Sequence, residues 1–434
     1  MDILISNTTV VTMNEAMEVL FGAFVGVTEG KITYLDRKAP EEAPQTIVDG
    51  TGMVLLPGLI NCHTHLAATV LRSYCDDLPR AQALETQLQR EAKMDSRCAK
   101  AAASLGLAEC LRFGVTSVSD LYYYPEATAE AAAEAGIKAN IALSAYRFID
   151  QNEEFDFETD EQCAELRRVA EKWNGYDQGR IRVDAGIYGE YTSNYKLWEG
   201  LVGYAAEKNM GFQLHLSQTP GEVTSCQERT GLTPGELLAC HGVFNVPATA
   251  AGCACLTPEE KTLLGRKRMS AVLCPLSDQR LGSPPADVLG CAKAGMNLAL
   301  GSDGVVEAGN GDLFAVMRAL ALNARAQGEL LPTSAVLMMA TVCGARAQGR
   351  TDTGMVQVGL DADLILVDFS APHLMPCHNV LNGLVYSAQG GDVAMTMVRG
   401  KILYQNGQFP TIDLKKAVET LTTYAIPRIF QEEP

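Results

Sequence analysis

No segment of the 434 residues carries the ~18 uninterrupted apolar residues needed to span a bilayer. Basic residues are in deficit: 35 Lys+Arg face 52 Asp+Glu, for a net charge of −17, and no Lys/Arg cluster occurs. A nucleic-acid or anionic-membrane partner is therefore not expected, because such surfaces attract basic patches. The opening MDILISNTTVV has no basic n-region and no small-residue cleavage site, so no signal peptide is expected. The 13 cysteines are odd in number and lack framework spacing, which points to reduced thiols in a cytoplasm rather than a disulfide scaffold. Internal repeats and low-complexity segments are missing too. What is present is a 47% hydrophobic, 20% charged composition, that of a globular chain with a large core. The length allows two or three ordinary domains, or one barrel with an appendage. Soluble acidic chains of this kind are mostly enzymes acting on small molecules.

The two ends of the chain share a β-rich texture. Asp2–Met13, Ala23–Val27 and Lys31–Leu35 read as short strands, as do Leu364–Val367, Val393–Val398 and Lys401–Tyr404. Between about Pro57 and Gly349 the pattern changes to apolar runs alternating with Ala-rich helical stretches. The runs are Val54–Ile60, Ser117–Asp120, Ala139–Ser144, Arg182–Ile187, Gly211–Leu216, Thr249–Leu256, Met269–Leu273 and Asn297–Gly301. Eight such runs suit a (β/α)8 barrel, whose ~250-residue core fits the interval. An open doubly wound sheet would show the same alternation. It would also call for a Gly-rich phosphate loop after the first strand, and none is found.

Six histidines occur: His63, His65, His215, His241, His373 and His378. Residues two apart on an extended segment point to one side, so the imidazoles of His63-Thr64-His65 can face one metal. They stand at the end of the first run, where barrel enzymes place their chemistry. His215 ends the fifth run and Asp303 follows the eighth. Three imidazoles and a carboxylate at strand mouths make a complete set for a single borderline-soft divalent ion. A core histidine and a turn-forming aspartate are the ordinary alternatives for His215 and Asp303.

The stretches PGLINCHTHLAATVLRSYCDDLP, GVTSVSDLYYYPEA, LHLSQTPGEV, CPLSDQRLGS, GMNLALGSDG, MMATVCGARAQG and GLDADLILVDF together resemble the amidohydrolase superfamily. The likeness is to its methylthioadenosine/S-adenosylhomocysteine deaminase, chlorohydrolase and guanine/cytosine deaminase branch. The resemblance implies a (β/α)8 barrel at residues 58–353, with residues 1–57 and 354–434 forming a composite β-sandwich domain. It implies one metal ion, usually zinc, held by His63, His65, His215 and Asp303. Relatives are often dimers or tetramers, so a homodimer or homotetramer is expected.

Departures from the family pattern fall on proton transfer. The glutamate usual three residues after the fifth-strand histidine is Gln218, whose amide does not exchange a proton near neutral pH. The sixth-strand histidine is replaced by Gly252, and a substrate-binding histidine by Leu273. Tyr188 stands where a fourth-strand histidine is usual. Glu190, in the following loop, is a candidate replacement acid, with a solvent-facing carboxylate as the ordinary alternative. Cys253, Cys255 and Cys274 are candidates to line the site, although buried inert thiols are the default. The expected activity is hydrolysis of a non-peptide C–N bond in a small heterocyclic molecule, with Asp303 as proton carrier. The alternative is a metal-binding relative that has lost catalysis and acts as a binding or regulatory protein.

Overall fold

Pro57-Gly58 separates two sheets. In the computed structural model, which describes residues 1–149 and 153–431, the chain opens with β1 (Ile3–Val11), β2 (Val19–Thr28), β3 (Lys31–Asp36), β4 (Thr46–Asp49) and β5 (Met53–Pro57). The barrel strands follow as β6 (Leu59–Thr64), β7 (Val115–Tyr122), β8 (Lys138–Leu143), β9 (Ile181–Gly186) and β10 (Phe212–Leu216). β11 (Ala248–Gly252), β12 (Met269–Leu273) and β13 (Asn297–Leu300) complete them. The chain then returns to the first sheet through β14 (Leu364–Asp368), β15 (Val393–Val398) and β16 (Lys401–Gln405).

The first sheet runs β16-β15-β14-β5-β1-β2-β3, with β4 beside β1, so both chain ends interleave. β5 and β14 are its seam, antiparallel with Leu55 opposite Leu366. Ile5, Val25, Leu55, Leu364, Met395 and Met397 fill its core, and the unit is a small β-sandwich. The second sheet runs β6 to β13 in chain order with parallel neighbours, the (β/α)8 barrel.

The sequence pattern merges Val54–Ile60 into one run, whereas the structure divides it. Met53–Pro57 belongs to the sandwich and Leu59–Thr64 to the barrel. Gly58 lies at the crossing, where a Cβ would stand 2.1 Å from the Thr116 side chain. The sixth run is also shorter than its apolar pattern suggests, because the chain turns at Gly252 (φ 93°) and Cys253 (φ 58°). After the sandwich, the helical stretch from Leu414 to Phe430 packs back on the barrel helix Ser96–Arg112, with the Tyr424 hydroxyl donating to Asp95 at 2.6 Å. No helix among the described residues is long and apolar enough to cross a membrane.

A buried ion network ties the start of β8 to the chain returning toward the sandwich. Lys138, fully buried, meets Asp361 at 2.7 Å and Asp363 at 2.6 Å. Burial works to raise the Asp361 carboxyl, but the ammonium groups of Lys138 and Lys31 outweigh it and hold the group well below the usual carboxylate range. A depressed carboxyl contributes stability that is complete above the unfolded value near ~4 and is lost as pH falls toward the depressed value. Lys138→Met takes the ammonium away from Asp363 and leaves Asp361 with Lys31 and Arg399. It is expected to cost about 3–5 kcal/mol in urea unfolding at neutral pH, with a smaller deficit in acid; an unchanged midpoint would contradict this.

Candidate metal centre and active-site cavity

The barrel closes between its first and last strands at the residues that carry the chemistry. Thr64 and Asp303 form the bridge across that seam, and the Asp303 amide donates to the His63 carbonyl at 3.0 Å. Gly301 permits the approach: a Cβ there would meet His63 Cβ at 2.8 Å and Val272 Cγ1 at 2.9 Å. Asp303 itself adopts φ 63°, an uncommon backbone region for a residue other than glycine, which turns its carboxylate inward.

His63, His65, His215 and Asp303 each bring one ligand atom to a common point, all within 4.8 Å of one another and all buried. His63 Nε2 lies 3.0 Å from His215 Nε2. Asp303 Oδ1 lies 3.3 Å from His63 Nε2 and 3.1 Å from His65 Nε2. His65 Nδ1 contacts the Leu121 carbonyl and His215 Nδ1 the Tyr188 carbonyl, both at 2.7 Å. A carbonyl only accepts, so each Nδ1 carries a proton, and in the neutral ring the Nε2 lone pair faces the centre. The Ser277 hydroxyl donates to Asp303 Oδ2 at 2.6 Å and the Gly304 amide to Oδ1 at 2.9 Å.

Burial, reinforced by the two neighbouring imidazoles, pushes His215 down to about 3, the neutral form that a ligand requires. Burial also opposes charge on His65, but the hydrogen bond and charge of Asp303 prevail and bring it up to about 9. The cluster therefore favours positive charge at its centre. Three imidazole nitrogens and one carboxylate oxygen, with outer hydrogen bonds in place, fit a single divalent ion of the zinc type.

A cavity of about 120 Å3 lies over His65, His215 and Asp303. Tyr122, Tyr123, Tyr188 and Tyr191 form much of its wall, with Gln218, Glu91 and Glu307 also exposed to it. The Tyr188 ring stands 4.7 Å from that of His215. Gln218 reaches over Gly252, where a Cβ would lie 2.3 Å from Gln218 Cγ. The two positions are thus one packing unit, and a side chain at 252 would displace Gln218. Glu222 fixes the backbone beneath, accepting from the amides of Ser217 at 2.7 Å and Gln218 at 2.8 Å.

The structure does not bring Glu190 or Leu273 to the cavity wall. Glu190 is buried in the turn Glu190–Thr192 and paired with Arg229 at 2.6 Å. Val272 shares the face of His63, so strand alternation turns Leu273 the other way, into the main apolar core. Cys253 and Cys274 are buried, and burial holds both thiols well above their usual range. Cys255 is half-buried, and its thiol is pushed up to about 11, first by burial. His241 pairs with Glu199 at 3.0 Å and His373 with Asp392 at 2.9 Å, both away from the cavity.

Three cavity carboxylates, Asp76, Glu91 and Glu307, escaped the sequence reading. Glu307 lies four residues beyond Asp303 on the short helix Val305–Ala308, and burial, then the Asp303 charge, pushes it up to about 7. Glu91 ends the helix Arg80–Glu91 and accepts from the Tyr122 hydroxyl at 2.6 Å. An acid one helical turn beyond a metal ligand was the available signal for Glu307; Glu91 had none.

Residues 54–403 match the amidohydrolase family. The chain is 35% identical over 423 residues to the 5′-deoxyadenosine deaminase of Methanosarcina mazei, covering 96% of each chain. It is 37% identical over 383 residues to the 5-methylthioadenosine/S-adenosylhomocysteine deaminase of Moorella thermoacetica, covering 87% of this chain and 88% of that one. A solved adenosine deaminase from Xanthomonas campestris with bound zinc superposes with a TM-score of 0.91 at 29% identity, over 99% of this chain and 98% of that one.

Two outcomes follow from the geometry. Metal analysis of the purified protein is expected to find one zinc per chain, lost in His215→Ala; retention in that variant would contradict the ligand set. Gly252→Ala, strained at φ 93° and colliding with Gln218, is expected to lose about 1–3 kcal/mol in chemical unfolding.

Proposed function

The chain belongs to the amidohydrolase family, and on that premise we propose that it is a metal-dependent hydrolase of a non-peptide C–N bond in a small heterocyclic substrate. The observation that carries this reading is the convergence of three imidazoles and the Asp303 carboxylate on one point of a tyrosine-walled cavity. A divalent ion held there by His63, His65, His215 and Asp303 would activate water near neutral pH. The Asp303 carboxylate is placed to hold a proton and deliver it to the leaving nitrogen. Ser277, bonded to Oδ2, holds the carboxylate in place for both transfers. Tyr188 offers an aromatic face beside His215 against which a flat ring can lie.

Gln218 sets the chemistry apart from that of a typical family deaminase. Its amide can donate to or accept from a ring nitrogen, but it cannot pass a proton to it. Gly252 offers no group to share that task. This favours substrates whose leaving nitrogen lies close to Asp303 over those that need ring protonation at a distance. The relatives' names point to 5′-modified adenosines as the first substrates to try, followed by pterins, triazines, cyclic amides and ureas.

The zinc-loaded protein is expected to turn over at least one such compound. Asp303→Asn, which keeps an oxygen ligand but cannot carry the proton, is expected to slow it by ~10² or more while zinc remains bound. Gln218→Glu is expected to retain zinc and to gain no rapid deamination of adenosines by itself. Failure across the whole panel with zinc in place would favour a binding or regulatory role. Rapid deamination by Gln218→Glu alone would contradict the assignment of two missing proton-handling positions.

A further inference from the structure

Two buried polar atoms on residues that line the cavity have no protein partner. Ser144 Oγ lies just after β8 on a residue that is 2% exposed, and Glu307 Oε2 is equally orphaned. Oε2 stands over Gly304 and close to His65: a Cβ at 304 would be 2.4 Å from Oε2 and 3.2 Å from His65 Cδ2. Buried polar atoms in native structures are normally satisfied. Inside a ligand cavity, an orphaned carboxylate oxygen marks the place of a donor that the ligand brings.

The charge around it decides what kind of donor. Asp76, Glu91, Asp303 and Glu307 line the cavity, and Arg280 is the basic side chain among the lining residues. Arg280 is already paired with Asp76 at 2.8 Å. Glu91 is partly satisfied, since Oε1 accepts from Tyr122 at 2.6 Å and Gln87 at 3.0 Å. A divalent ion overbalances Asp303 by one charge, while Glu91 and Glu307, both raised by burial, contribute up to two negative ones when ionised. The cavity remains acidic, and the faces of its tyrosines favour cations further. An anionic substrate would meet uncompensated repulsion here. A neutral one would leave a buried carboxylate charge unpaired.

We infer that the molecule accepted by this site carries, besides the bond that is cleaved, a protonated nitrogen group of amine or amidine type that seats on Glu307, with Ser144 as a second polar contact on the wall. This rests on the reading of the cavity as a small-molecule hydrolase site and names the class of molecule it takes. Glu307 is in this account a residue of substrate selection, and Asp303 keeps the proton.

The experiment is calorimetric titration of the zinc-loaded protein with benzamidine and with benzamide, which share a shape and differ in charge. Benzamidine is expected to bind ~10-fold more tightly, as a charged hydrogen bond to a buried carboxylate requires. Glu307→Gln is expected to remove most of that preference while keeping its zinc and its melting temperature. Equal binding of the two compounds to the unaltered protein would overturn the inference, and needs no variant to fold. A preference that survives Glu307→Gln would also overturn it, as would loss of zinc from that variant, which would make Glu307 a ligand. Binding is read without turnover. A protein that prefers benzamidine but hydrolyses nothing keeps this inference and loses the hydrolase reading. One that hydrolyses neutral heterocycles without the preference does the reverse.

Discussion

Closing the barrel and assembling the ligand cluster are one event in this protein. β6 and β13 meet through the bridge between Thr64 and Asp303, and the amide of Asp303 is bonded to the carbonyl of His63. The seam depends on the missing side chain of Gly301, because any Cβ there would press on His63 and Val272. It also depends on Asp303 accepting φ 63°. Strain of this kind persists where surrounding structure over-determines it, and here Ser277, Gly304 and two imidazoles all hold the carboxylate.

The rest of the molecule supports that seam from outside. The sandwich seam at β5 and β14 lies immediately before the first barrel strand, so Leu59–Thr64 enters the barrel from a fixed platform. The Lys138 network fixes the opposite end of the barrel to the returning chain. The loops over the cavity then bring side chains of a different character. Four tyrosines and the carboxylates of Glu91 and Glu307 line the cavity over the cluster, together with Gln218, which packs across Gly252.

Much of this was legible in the chain. The alternation of apolar runs with helical stretches predicts the eight barrel strands, and the period of an extended strand predicts that His63 and His65 converge. Strand ends at His215 and Asp303 complete the set. What escaped was non-local. Glu190 carries no mark in sequence of its pairing with Arg229, which lies on another helix. Leu273 falls one residue out of phase with Val272, and the strand's inward face is decided only by its packing. Glu91 reaches the cavity because a helix between the first two barrel strands folds over the mouth, a placement no local pattern encodes. Gln218 and Gly252 read as two separate losses, yet in three dimensions one fills the space of the other.

The seam offers an ion nitrogen and oxygen alone, although Cys62 is adjacent to His63 and 13 cysteines occur in the chain. X-ray absorption at the zinc edge of the metal-loaded protein tests it directly. A single shell of N/O scatterers at ~2.0–2.1 Å with the outer-shell pattern of several imidazoles is expected. A sulfur shell at ~2.3 Å would place the ion elsewhere and contradict it.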